Sequence, residues 1–200
     1  MVIDSALRLT QVGEVEDRLR DMDRLAVDHA VVAPPEVFVA VHPREGVRQL
    51  RKAVSPHRDR LSPLAAVNPW FGEAGVSWLR EALEDGFAGL YVCPPRQGFR
   101  LTESLVDPFV AACAEFNRPV YCYMSTPVCA MPLQLAELAR RHPTARFVLG
   151  HFGWVDFSGY DAIPAARQAA NLFIETSCAP SVLILEAIEA IGPGRLLPLP

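Results

Sequence analysis

Short apolar runs rich in β-branched residues, separated by segments whose apolar residues recur every three or four positions, restrict this chain to a strand-helix repeat. The runs lie at 2–3, 30–33, 64–67, 89–93, 120–123, 147–150 and 172–176, with a weak eighth at 196–197. They recur roughly every 23 to 35 residues, the length of one βα unit. Most lack apolar-polar alternation, as expected of parallel strands buried on both faces. Between them, Val15, Leu19, Met22 and Leu25 draw one helical stripe, Val76, Leu79 and Leu83 a second, and Phe109, Ala112, Cys113 and Phe116 a third. Further helices are predicted over 133–141, 163–170 and 181–191, the last stopped by Gly192-Pro193-Gly194. Seven or eight such units favour one (β/α)8 barrel domain over residues 1–200, with an open doubly wound sheet as the alternative.

The bulk properties suit such a domain. With 200 residues, 50% hydrophobic and 21% charged, and a mean hydropathy of +0.16, the chain can bury a substantial core. Its formal net charge of -4, with 19 basic residues spread out, offers no basic stripe for nucleic acid. No run of about eighteen apolar residues occurs, so no membrane span is expected. Met1 leads directly into Val2, Ile3 and Asp4 without a signal-like segment, which predicts a cytoplasmic protein. Cys93, Cys113, Cys122, Cys129 and Cys178 form an odd set without CxxC spacing, so reduced thiols are expected.

Pro34, Pro35, Pro69, Pro94, Pro95 and Pro127 each follow a predicted strand and stiffen the loops on one face. In a barrel that face, at the strands' C-terminal ends, carries the chemistry. Several strings stand there in order: Ile3-Asp4-Ser5, Ala66-Val67-Asn68-Pro69 and Gly89-Leu90-Tyr91-Val92-Cys93-Pro94. Downstream come Arg118-Pro119-Val120, Leu149-Gly150-His151-Phe152-Gly153, Asn171-Leu172-Phe173-Ile174-Glu175-Thr176-Ser177 and Gly194-Arg195-Leu196-Leu197. Together, over nearly the whole chain, they resemble the amidohydrolase-related family, the metal-dependent TIM-barrel hydrolases and decarboxylases of the amidohydrolase 2 type.

The resemblance implies hydrolysis or decarboxylation of a small organic acid, lactone or amide. It also implies a divalent metal such as zinc, held by His-x-His on the first strand, a histidine on the fifth and an aspartate on the eighth. At the matching positions this sequence has Ala6, Arg8 and Tyr123. Pro200 falls about where the aspartate's Gly-Ser-Asp would begin, so the last strand and helix are expected to be incomplete. A lysine-x-histidine of relatives on the fourth strand reads Tyr91 and Cys93. Alanine cannot ligate, and a permanently charged guanidinium repels a cation. No metal or other cofactor is therefore expected.

His151 is the candidate catalytic residue, as general base or surviving ligand, with a hydrogen-bonded structural histidine as the competing reading. Arg8, Tyr91, Tyr123 and Arg96, with Cys93 beside them, are candidates for holding an anionic small molecule. Arg8 decides the matter: an outward side chain would leave no anion pocket. A thiol nucleophile among Cys93, Cys122, Cys129 and Cys178 is weighed against buried, inert cysteines, and alternation puts Cys122 and Tyr123 on opposite sides of the wall. Asp156 and Glu175 are the nearest acidic candidates, set against a solvated loop carboxylate and an outward strand residue. Trp154, Phe157 and Tyr160, beside Asp156 and Asp161, would roof the pocket, form a subunit contact or pack on helices. Three functional classes stay open: a residual metal-independent enzyme, a small-molecule binder, and a pseudoenzyme acting through protein contacts. An unsealed last strand predicts a dimer.

Overall fold

A computed structural model of the chain describes residues 1–124, 128–154 and 159–197. Pro127, Asp156, Phe157 and the tail Pro198-Leu199-Pro200 lie outside the described residues. Eight strands alternate with helices: β1 (Ile3–Arg8), β2 (His29–Ala33), β3 (Leu61–Ala66), β4 (Gly89–Val92), β5 (Pro119–Cys122), β6 (Arg146–Leu149), β7 (Leu172–Glu175) and β8 (Leu196–Leu197). The α-helices are α1 (Val15–Arg24), α2 (Val37–Ala40), α3 (Pro43–Val54), α4 (Gly72–Glu84), α5 (Pro94–Gln97), α6 (Asp107–Glu115), α7 (Pro132–Arg141), α8 (Ala162–Gln168) and α9 (Ser181–Ile191).

All strand pairs are parallel and the sheet runs β1 to β8 in sequence order. A doubly wound sheet reverses its order at a switch point, and this one does not, so the barrel reading holds. β8 joins β7 through Ile174–Leu196 and Glu175–Leu197. Among the described residues no ladder returns from β8 to β1, and the barrel is nearly closed. No helix among them is long and apolar enough to cross a membrane.

Two apolar layers follow from strand parity. Leu90, Val92, Val120, Cys122, Phe147 and Leu149 pack outward against helix residues such as Leu79, Phe109 and Leu135. Tyr91, Cys93, Tyr121, Tyr123 and Val148 point the other way and fill the barrel with Ala33, Leu64 and Ala66. Burial of a side chain the size of Phe109 contributes about 1.5–3 kcal/mol. The expected stripes are buried at Leu19, Met22, Leu79, Leu83, Phe109 and Cys113, whereas Leu25 caps α1 and is exposed. α3, for which the sequence reading assigns no helix, buries Val47, Leu50 and Val54.

β1 carries the one irregularity that matters for the site. Asp4 pairs with Ala30 and Leu7 with Val32, so β1 spends one residue more than β2 between these pairs, a β-bulge. The Asp4 carboxylate accepts a hydrogen bond from the Ala6 amide at 2.9 Å, which occupies a donor inside the irregular stretch. Ala30 and Val32 belong to the outer layer and Ala33 to the interior. Arg8, paired with Ala33, therefore faces inward; with regular alternation it would share the face of Asp4.

Candidate active site

The C-terminal strand ends bring polar side chains together around one carboxylate. Glu175, the last residue of β7, is 0% exposed. It is no outward strand residue. Tyr121 Oη donates to its Oε2 at 3.0 Å, the His151 amide at 2.8 Å and Ser177 Oγ at 2.8 Å, while the Ser177 amide donates to Oε1. Four donors thus satisfy a charge that would be costly in an apolar barrel. Tyr121 reaches it only because residue 150 is glycine: a Cβ there would lie 2.6 Å from the Tyr121 hydroxyl.

His151 sits just past β6 in a left-handed turn, with φ of 54° at His151, 50° at Phe152, 75° at Gly153 and 62° at Trp154. Left-handed non-glycine residues cost of order 1–3 kcal/mol each and persist only where the surroundings fix them. Here the His151 amide is tied to Glu175, and the ring is held from three sides. Its Nδ1 contacts Ser177 Oγ and lies 3.5 Å from Glu175 Oε2. Its Nε2 faces Arg8 Nη2 at 3.0 Å. Tyr123 meets it edge-on at 4.8 Å between centroids. Burial lowers the His151 pKa below 6.5, with Glu175 opposing and Arg8 reinforcing the shift.

Arg8 lies across the mouth of the barrel. Its guanidinium covers the Tyr123 ring at 4.4 Å, a cation–π contact, and stands 3.8 Å from Glu36, which pairs with Arg96 at 2.7 Å. Arg8, Tyr91, Tyr121, Tyr123 and His151 line a shared cavity of ≈ 10 Å³, about the least that holds one water. A larger cavity, ≈ 600 Å³ beside His42, Arg44 and Trp78, lies at α3 and α4, away from these residues.

Of the candidate anion-binding residues, Arg8, Tyr91 and Tyr123 come together with His151. Cys93 packs in the same interior layer, and burial pushes its thiol up to about 11, against a nucleophilic thiolate. Arg96 is half-exposed on α5, and its guanidinium pairs with Glu36 while its amide donates to the Cys93 carbonyl at 3.0 Å. Cys122 faces outward, Cys129 is half-buried and Cys178 exposed. Burial likewise pushes the Tyr91 and Tyr121 phenols up, so both are neutral hydrogen-bonding groups. Trp154 lies 6.5 Å from both Tyr123 and His151 between ring centroids, and Tyr160 is exposed.

Tyr121 and Ser177 escape the sequence reading, and Glu175 is underweighted by it. The signal for the last two is parity: Ile174 packs outward, so Glu175 and, two residues on, Ser177 share the inner face.

Whether these side chains suit a divalent metal is a question of donors. Among the described residues no group of three or more His, Cys, Asp or Glu side chains is placed to hold an ion. The His151 nitrogen that faces the cavity is met by a guanidinium, which has no lone pair to give. Among the described residues, the side chains around His151 supply no three-donor set for a divalent cation.

The sequence comparison gives a family and the structural comparison a fold. The family model described as Amidohydrolase, of the amidohydrolase-2 type, matches residues 3–197. Among solved structures, the fold is similar to 5-carboxyvanillate decarboxylase from Novosphingobium aromaticivorans in complex with manganese and 4-hydroxy-3-methoxy-5-nitrobenzoic acid, with a TM-score of 0.78 and 16% identity over 100% of this chain and 85% of that one. A 2,6-dihydroxybenzoate decarboxylase in complex with 2,6-dihydroxybenzoate gives 0.72 and 17% over 99% and 86% of the two chains. The 4-oxalomesaconate hydratase of Rhodopseudomonas palustris gives 0.68 and 15% over 100% and 81%. No protein of curated function matches the sequence. With its eight parallel strands and a family match spanning nearly its whole length, the chain belongs to the amidohydrolase-2 family of (β/α)8 barrels.

Proposed function

We propose that this barrel binds a small organic carboxylate at its mouth and acts on it without a divalent metal, with Arg8 holding the anion and His151 moving the proton. The observation that carries the reading is the 3.0 Å contact between Arg8 Nη2 and His151 Nε2. A fixed cation and a neutral imidazole meet at the strand ends, where barrels of this type do their chemistry. A guanidinium binds carboxylate through two parallel N–H donors and stabilises negative charge that develops on oxygen. An anion that draws Arg8 away frees the Nε2 lone pair to take a proton from the ligand's own hydroxyl, and the imidazolium returns that proton to the carbon whose bond to the carboxyl breaks as carbon dioxide leaves. The related decarboxylases and hydratase act on small organic acids, which supports a carboxylate as the ligand class.

The Tyr91 and Tyr121 rings, stacked at 5.7 Å and 12°, and the Tyr123 ring beneath Arg8 are the aromatic walls of the small cavity. They suit a planar acid. The five free cysteines support a reducing, cytoplasmic setting. A second reading is a binder without turnover, favoured by one observation: Arg8 Nη2 already occupies the His151 Nε2 lone pair, and in either reading the cavity of ≈ 10 Å³ requires Arg8 to swing aside before an acid enters.

Metal-stripped protein incubated with a panel of aromatic and unsaturated carboxylates, assayed for carbon dioxide release and for change in ultraviolet absorbance, separates the readings. Turnover that survives a chelator and is lost in His151→Asn supports the enzyme. Binding without turnover supports the binder. Turnover only with added zinc or manganese overturns the proposal.

A further inference from the structure

We infer that Ser177 is a positioning residue that locks His151 as the Nδ1–H tautomer, so that the Nε2 lone pair points at the mouth of the barrel. The argument begins at Arg8. A guanidinium carries donors only. Its Nη2 stands 3.0 Å from Nε2, so Nε2 accepts and the hydrogen of the neutral ring sits on Nδ1. Nδ1 contacts Ser177 Oγ, which lies 2.8 Å from Glu175 Oε2. A carboxylate only accepts, so the serine hydrogen goes to Glu175 and its lone pair receives Nδ1–H. The chain of donors then runs Arg8, His151, Ser177, Glu175 in one direction. Reversing it would set Nε2–H against an arginine N–H and leave Glu175 without one of its donors.

Ser177 is built for this place. Its amide is bound to Glu175 Oε1, which fixes the hydroxyl beside the carboxylate. Glu175 is itself held by Tyr121 and the His151 amide. Glu175 Oε2 is 3.5 Å from Nδ1, too far for a good direct bond, so the hydroxyl closes the gap. Only the use of the lone pair in catalysis rests on the proposed function; the tautomer is a property of the resting protein.

The experiment reads the imidazole nitrogens directly. Protein labelled with ¹⁵N-histidine is examined by long-range ¹H–¹⁵N correlation above the pH at which His151 takes a proton, with His151→Asn assigning the signal. Wild type should show Nδ1–H. Because Arg8 alone would favour this form, the decisive background is Arg8→Met: there Ser177 should keep Nδ1–H as the major species. Adding Ser177→Ala should make Nε2–H major, and Ser177→Thr in the same background should restore Nδ1–H. A switch to Nε2–H in Arg8→Met alone, or no change on adding Ser177→Ala, overturns the inference. Thermal unfolding of each variant identifies a misfolded one, and the Thr variant, which keeps the hydroxyl, then decides. Failure to find turnover would leave these spectra unaffected.

Discussion

Arg8 Nη2 donates to His151 Nε2 at 3.0 Å, across the barrel from β1 to the turn after β6. The contact couples a permanent cation to a histidine whose pKa burial lowers.

The first prediction concerns proton uptake. Burial and Arg8 hold His151 below 6.5 although Glu175 pulls the other way, so the unfolded chain takes this proton at higher pH than the folded one. The folded state therefore gains stability from a neutral His151 above about pH 6.5 and loses it as pH falls from there toward the folded pKa. Arg8→Met should raise the midpoint toward the ordinary value, as followed by the His151 ring protons in an NMR titration. An unchanged midpoint would show that Arg8 does not face the ring in solution.

The second concerns the bulge. Asp4 accepts the Ala6 amide at 2.9 Å within the stretch that turns Arg8 inward. Asp4→Ala should cost about 0.5–1.5 kcal/mol in chemical denaturation. It should also weaken carboxylate binding, although Asp4 does not line the cavity. Unaltered binding would mean that the bulge holds without this bond.

The third concerns Gly150. A methyl group there would sit 2.6 Å from the Tyr121 hydroxyl and 2.8 Å from the ring carbon that bears it. Gly150→Ala should destabilise by about 1–3 kcal/mol through overpacking. Tyr121→Leu, which removes the ring, should relieve part of that cost in a double-mutant cycle. Strict additivity of the two changes would contradict the clash.

The fourth concerns the thiols. Cys178 is exposed, whereas burial raises Cys93 to about 11 and Cys113 to about 12. A disulfide-exchange reagent should modify Cys178 in the native protein well before either, with no effect on ligand binding. Rapid modification of Cys93 with loss of binding would restore it as a nucleophile.

The barrel was legible in the sequence because parallel strands buried on both faces leave apolar runs at βα spacing, and even the two-residue β8 was marked by Leu196 and Leu197. His151 was legible at the end of an apolar run, whereas Arg8, Tyr91 and Tyr123 were picked out by the positions that the family resemblance implies. The inward turn of Arg8 was not, because one extra residue in β1 reverses the parity and nothing in Ser5-Ala6-Leu7 announces a bulge. Glu175 was misjudged because a carboxylate in an apolar run reads as solvent-facing. Its burial depends on Tyr121, Ser177 and the His151 amide, which come together only after β5, β6 and β7 have paired. α3 was missed although Val47, Leu50 and Val54 hold helical spacing, since its charged residues obscure that face.

The most direct test of the account is calorimetric titration of chelator-treated protein with a planar aromatic carboxylate, wild type beside Arg8→Met. The account predicts binding that persists without metal and weakens at least about tenfold in the variant, as expected on losing about 1.5–3 kcal/mol of charge-assisted hydrogen bonding. Binding that requires an added divalent cation, or that is equal in the two proteins, would contradict it.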